Sequence, residues 1–92
     1  MKIVIVGAGV VGEALCSELS EINNDVILIE KEEDILNKVI EKNDITGLAG
    51  NGASYENLLE AGVDSADIFI AVTEADELNI ISCIMAKKLG AN

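Results

Sequence analysis

Histidine and arginine are both missing from this 92-residue chain. Without histidine, catalytic triads, imidazole general bases and most zinc sites are excluded unless another segment supplies the group. Without arginine, no bidentate guanidinium clamp on a phosphate can form within the chain. Aromatics are nearly absent as well, with Tyr55 and Phe69 the only two. Half of the residues are hydrophobic, so the core has to be aliphatic, built from Val, Ile, Leu and Ala between regular elements as in α/β proteins. Positive charge is scarce: six lysines stand against 17 acidic residues, for a formal net charge of −11. Such a chain repels nucleic-acid phosphates and anionic lipid, so neither nucleic acid nor a lipid surface is an expected partner. Cys16 and Cys83 form no CxxC pair, and both read as small core hydrophobes of a reduced, cytoplasmic protein. The apolar opening, Met1 to Val6 and beyond, is broken by Glu13 before it reaches transmembrane length, and no cleavage-site pattern follows. Direct membrane insertion is therefore not expected.

What remains is a regular alternation. Lys2–Val6 is a short, β-branched, nearly all-apolar run that stops at Gly7, the pattern of a strand buried on both faces. Val11, Ala14, Leu15, Leu19 and Ile22 then recur at helical spacing and predict an amphipathic helix ending near Asn23. Val26–Ile29 repeats the buried-strand pattern and runs into Glu30. A second helix follows, with Ile35, Leu36, Val39 and Ile40 as its stripe and Glu32, Glu33 and Asp34 at its positive end. Ile45–Ala49 reads as a weaker third strand, Gly50-Asn51-Gly52 as a turn, and Ser54 as the cap of a short helix closing at Gly62. Ile68–Val72 is the fourth strand, and Asp76 to Leu89 the last helix. Without repeats or linkers, this β-α alternation predicts one domain spanning 1–92. Its fold class is α/β: a Rossmann-like, doubly wound parallel sheet of four strands, order 3-2-1-4, with helices on both faces.

The chemistry concentrates at the carboxyl ends of the strands. Gly7-Ala8-Gly9-Val10-Val11-Gly12 is a G-x-G-x-x-G that follows a buried strand and opens an amphipathic helix. Gly7 permits the sharp turn, Gly9 lets a diphosphate approach the backbone, and Gly12 lets the helix lie close to the strand. Free N–H groups at the helix start supply the positive end an anion needs, which answers the absence of arginine. Glu30 lies 18 residues after Gly12, where an acid accepts hydrogen bonds from the adenosine ribose and repels a 2′-phosphate. That favours NAD(H), or another adenine nucleotide, over NADP(H). Two readings stay open for Asn51 and Gly52, contact with an adenine edge or an ordinary turn. For Thr73, in Thr73-Glu74-Ala75-Asp76, they are a capping box alone or capping plus ligand contact. The acids Glu74, Asp76 and Glu77 read as partners of the helix dipole rather than as a metal site. No acid or base stands near the expected nicotinamide position, and no second domain to hold a substrate is present.

The motif series resembles a known family. Gly7-x-Gly9-x-x-Gly12, Ile27-Leu28-Ile29-Glu30 and Gly50-Asn51-Gly52-Ala53 are followed by Ala61-Gly62-Val63, Ala66-Asp67 and Ala71-Val72-Thr73-x-x-Asp76-Glu77-x-Asn79. This series is similar to the N-terminal domain of TrkA and KtrA proteins, the cytoplasmic regulatory subunits of Trk/Ktr potassium-uptake systems, also called RCK or KTN domains. The resemblance runs through the whole chain, and the second half makes it specific, since the glycine fingerprint alone is shared with many dehydrogenases. It implies binding of NAD(H), or of ATP/ADP, without enzymatic turnover. Gly7, Gly9, Val10, Val11 and Gly12 would line the phosphates and Glu30 would hold the ribose. Asn51 and Gly52 would sit near the adenine, and Thr73 near the distal phosphate or ribose. It further implies a membrane potassium transporter subunit as partner, placing the protein at the inner face of the cell membrane. Family members continue with further strands and helices, so the domain is expected to be truncated at its C-terminal end.

Two features predict a homo-oligomer, a dimer or higher. The fourth strand is an uncharged edge, and the last helix carries Leu78, Ile80, Ile81, Cys83, Ile84, Met85 and Leu89 around most of its circumference. The competing functions are the cofactor-binding half of an NAD-dependent oxidoreductase and an ATP/ADP sensor of another assembly. The missing histidine and arginine and the TrkA-like second half favour the transport module over the oxidoreductase.

Overall fold

The β-branched run at the start of the chain becomes the strand around which everything else is arranged. A computed structural model describes all 92 residues. In chain order the elements are β1 (Lys2–Val6), α1 (Val10–Ser20), β2 (Asp25–Glu30), α2 (Glu33–Lys42) and β3 (Thr46–Ala49), followed by α3 (Tyr55–Glu60), a 3-10 turn (Val63–Ser65), β4 (Ile68–Ala71) and α4 (Asp76–Leu89). The four strands form one parallel sheet in the order β3-β2-β1-β4, as expected from the β-α alternation. β1 pairs with β2 from Lys2–Asp25 to Val6–Ile29 and with β4 from Ile3–Ile68 to Val6–Ala71.

Strand alternation divides the core in two. Val4, Val6, Ile27 and Ile29 face one way, onto Leu58 of α3, Val63 of the 3-10 turn and Ala86 of α4. Ile3, Ile5, Val26 and Leu28 face the other way, onto Cys16 of α1 and Leu36 and Val39 of α2. Side chains buried on this scale contribute about 2 kcal/mol each, so β1 and β2 carry most of the stabilisation. Ser54 caps α3 as predicted, its Oγ accepting from the Asn57 N–H at 3.3 Å. No helix is long and apolar enough to cross a membrane.

The helical stripes are where the structure departs from the periodicity. α1 ends at Ser20, and Val11 and Ile22, both assigned to its core stripe, are exposed. Its buried positions are Gly12 and Cys16. α4 lies on the sheet through Ser82 and Ala86, while Ile80, Ile81 and Ile84 are 61, 48 and 53 % exposed. Small residues sit at the contact because they let the helix axis approach the sheet closely. Met85 and Leu89 flank that contact against the core, and the three isoleucines fall on the outer side. Cys83 is on that outer side too, which corrects its reading as a core residue, whereas Cys16 is fully buried. Burial, with the nearby Glu13 charge adding to it, pushes the Cys16 thiol up to about 11.

Candidate functional site

Four strand-to-helix turns, after β1, β2, β3 and β4, line a cleft of about 680 Å³. Its floor is the turn after β1. Gly7 has φ +103°, a left-handed conformation that side chains resist, and a Cβ there would stand 2.9 Å from the Thr73 backbone nitrogen. At Gly12 a Cβ would collide with the Gly7 carbonyl, so this glycine sets how closely α1 meets its own entry turn. Gly9 differs from both. Its φ is −72°, and a Cβ built on it meets nothing within 4 Å. The chain itself places no steric demand on glycine at that position. Gly9 is the N-cap of α1 and has no side chain to satisfy the helix start, so the first N–H groups of α1 remain free.

Glu30 forms the wall on the β2 side. Its Oε1 accepts from the Ala8 N–H at 2.8 Å and its Oε2 from the Glu32 N–H at 2.8 Å. The carboxylate thus ties the glycine turn to the start of α2, a role absent from the sequence reading. Each oxygen keeps further acceptor capacity for a hydroxyl. Beside it, Ile35 also lines the cleft and is 41 % exposed, although its periodicity assigned it to the core of α2.

The turn after β3 supplies the rim. Gly50, Asn51 and Gly52 all line the cleft. The Asn51 Oδ1 accepts from the Ala53 N–H at 2.9 Å, and its carbonyl accepts from Asn57 Nδ2 at 3.0 Å. The side-chain oxygen of Asn51 is therefore engaged in its own turn. Gly52 is glycine because a Cβ would fall on the Val6 side chain.

On the β4 side, the capping-box reading of Thr73 is corrected. The N-cap of α4 is Ala75, with no side-chain cap, and Asp76 is the first helical residue. Thr73 Oγ1 donates to Asn79 Oδ1 at 2.6 Å and accepts from the Ala75 N–H at 3.2 Å. Asn79 also receives the Thr73 N–H at 2.9 Å and donates through Nδ2 to the Thr73 carbonyl at 3.0 Å. Asn79 holds the β4–α4 loop by three bonds to a single residue. It figured in the sequence only as a motif letter, because a polar side chain six positions from its partner leaves no periodic signal.

Of the residues singled out from the sequence, Gly7, Gly9, Glu30, Asn51, Gly52 and Thr73 come together around this cleft. Val10 and Val11 do not line it. They form the first turn of α1 with Val10 88 % exposed, so what they present to the cleft region is backbone. Gly12 lies beneath the glycine turn rather than in the lining.

A parallel 3-2-1-4 sheet, a glycine-rich βα turn and an acid closing the second strand define a Rossmann-like α/β domain. The chain belongs to the TrkA-N domain family, whose model matches residues 3–92. It is 47 % identical over 91 residues to a Trk system potassium uptake protein TrkA homolog of Archaeoglobus fulgidus, covering 99 % of this chain and 20 % of that protein. Similarity to the Trk system potassium uptake protein TrkA of Haemophilus influenzae is 39 % over 89 residues, covering 97 % of this chain and 19 % of the relative. A TrkA homolog of Methanothermobacter thermautotrophicus is 39 % identical over 88 residues, 96 % of this chain and 41 % of that protein. The chain thus spans about a fifth of the length of the first two relatives.

Proposed function

We propose that this chain is a nucleotide-binding regulatory module of a Trk-type potassium-uptake system, in which the bound NAD(H) or ATP/ADP controls the assembly and, through it, a membrane transporter subunit. The reading is non-enzymatic. The observation that carries it is Gly9: a position where a Cβ has open space and no strained φ, yet the residue is glycine. Glycine there fits a ligand whose diphosphate needs the approach to the free N–H groups of α1. Glu30 fits the ribose of the same ligand, held in place by Ala8 and Glu32. The relatives' names connect the family to potassium uptake. Calorimetric titration of the chain with NADH, NAD, ATP, ADP and NADPH tests the reading, and absence of heat with all five would remove it.

Glu30→Ala is expected to weaken NADH about ten- to 150-fold through lost charge-assisted hydrogen bonds to the ribose. NADPH gains relative to NADH, because the carboxylate that repels a 2′-phosphate is gone. The substitution also frees the Ala8 and Glu32 N–H groups, so the melting temperature falls. Unchanged affinity for both dinucleotides would reduce Glu30 to a turn-holding residue.

The oligomeric side of the proposal is supported by the exposed Ile80, Ile81 and Ile84 of α4 next to the edge strand β4. Sedimentation at micromolar concentration is expected to give a dimer or larger. A clean 9.7 kDa monomer with and without NADH would oppose it.

A further inference from the structure

Asn51 is the one asparagine of the chain that is followed by glycine. In such a pair no side chain shields the amide nitrogen of the second residue, and the glycine backbone turns freely enough to bring that nitrogen to the asparagine carboxamide. The core itself demands the glycine, because a Cβ at position 52 would fall on the Val6 side chain. Close packing beneath the rim thus leaves an unshielded amide nitrogen beside an exposed asparagine.

The turn also prepares the carboxamide. Asn51 Oδ1 accepts from the Ala53 N–H at 2.9 Å, which folds the side chain back and carries Cγ over the Asn51–Gly52 peptide. The same N–H draws electron density from Cγ and meets the negative charge that Oδ1 acquires when a nucleophile adds, as a donor in an oxyanion hole does. The Gly52 N–H donates no hydrogen bond within the chain, and neither does Asn51 Nδ2. Nucleophile and leaving group are therefore unencumbered, and only the electrophile is engaged.

We propose that Asn51-Gly52 is a site of self-modification by deamidation. The Gly52 nitrogen loses its proton to solvent and bonds to Asn51 Cγ. The Cγ–Nδ2 bond breaks, and that nitrogen takes up a proton and leaves as ammonia. Water opens the resulting five-membered imide at either carbonyl and gives aspartate or isoaspartate at position 51. Water is the only co-reactant, and nothing is oxidised or reduced. In the isoaspartyl product the main chain runs through Cβ and Cγ, one methylene longer. The original Asn51 carbonyl, which accepts from Asn57 Nδ2 at 3.0 Å, becomes a side branch. The Gly52 carbonyl, which accepts from the buried Ser82 hydroxyl at 2.8 Å, is displaced by the added methylene, so the rim loses its anchorage.

The test incubates the chain for days at neutral pH and physiological temperature with no ligand, then maps its peptides by mass spectrometry. A protein-isoaspartate methyltransferase serves as the reagent for the isoaspartyl form. Position 51 is expected to gain the mass of an amide-to-acid exchange before any other asparagine does. Melting of the modified fraction is expected about 4–8 °C lower, for the loss of one rim hydrogen bond. Asn51→Gln, whose longer side chain closes the ring far more slowly, is expected to keep its mass over the same period. The same chain unfolded in urea separates the turn from the dipeptide, and conversion in the folded chain is expected to be at least as fast. Slower conversion in the folded chain than in urea would show that the turn protects Asn51 and would overturn the inference, as would modification that begins at another asparagine.

Discussion

Gly9→Val is expected to abolish NADH binding and to leave a folded domain. The open space around a Cβ at this position means that the branch point of a side chain meets no atom of the chain, and φ −72° is accessible to valine. The cost to the protein is confined to the helix N-cap, where valine is poorer than glycine by roughly 1 kcal/mol, a drop of about 4–8 °C in melting temperature. The cost to the ligand is far larger. On the proposed nucleotide reading, the added methyl groups occupy the volume through which a diphosphate would reach the N–H groups of α1, and losing two charge-assisted bonds is expected to weaken binding by about a hundredfold or more. Circular dichroism should superimpose on that of the parent while calorimetry registers no heat. A variant that binds NADH as tightly as the parent would remove the fingerprint from the argument.

Gly12→Ala has the opposite profile, although it changes a glycine of the same motif by a single methyl group. Its Cβ meets the Gly7 carbonyl directly, with the Val72 side chain 3.5 Å away on the other side. Neither backbone atom can swing aside as a flexible side chain would, so α1 must lift from the turn that begins it. A dislocation of this kind in a close-packed interior costs about 3 kcal/mol, or some 12–24 °C in melting temperature for a domain of this size. Urea unfolding should show the loss with no ligand added. A melting temperature within about 3 °C of the parent would mean that α1 is less tightly seated than its geometry indicates.

The contrast explains how much of the molecule was readable in its letters. The buried strands announced themselves because all-apolar, β-branched runs of four to six residues have few other uses, and their spacing by helices left the parallel 3-2-1-4 sheet as the natural arrangement. The glycine turn and Glu30 were readable because each answers a local demand at a fixed distance. Three things were not. The stripes of α1 and α4 were readable only in part: Leu15, Leu19, Met85 and Leu89 pack on the core, but the deepest contacts are Gly12, Cys16, Ser82 and Ala86, small residues that periodicity of bulky aliphatics does not reward. Thr73 was read as a cap because its letters match a capping box, but its hydroxyl is held by Asn79 and the helix starts later. The second duty of Glu30 was invisible because it depends on where Ala8 lies in space, 22 positions away.

The buried hydroxyl of Ser82 donates to the Gly52 carbonyl at 2.8 Å, and that single bond has a mechanical meaning. It fastens the second turn of α4 to the rim on the far side of the cleft, beneath the sheet face that both share. α4 cannot slide along the sheet without either breaking this bond, which strands a carbonyl away from water, or dragging the rim with it. The two sides of the cleft therefore form a slot of fixed gauge rather than a pair of jaws. A load applied at the outward isoleucines of α4 reaches the Gly50-Asn51-Gly52 rim through this strut.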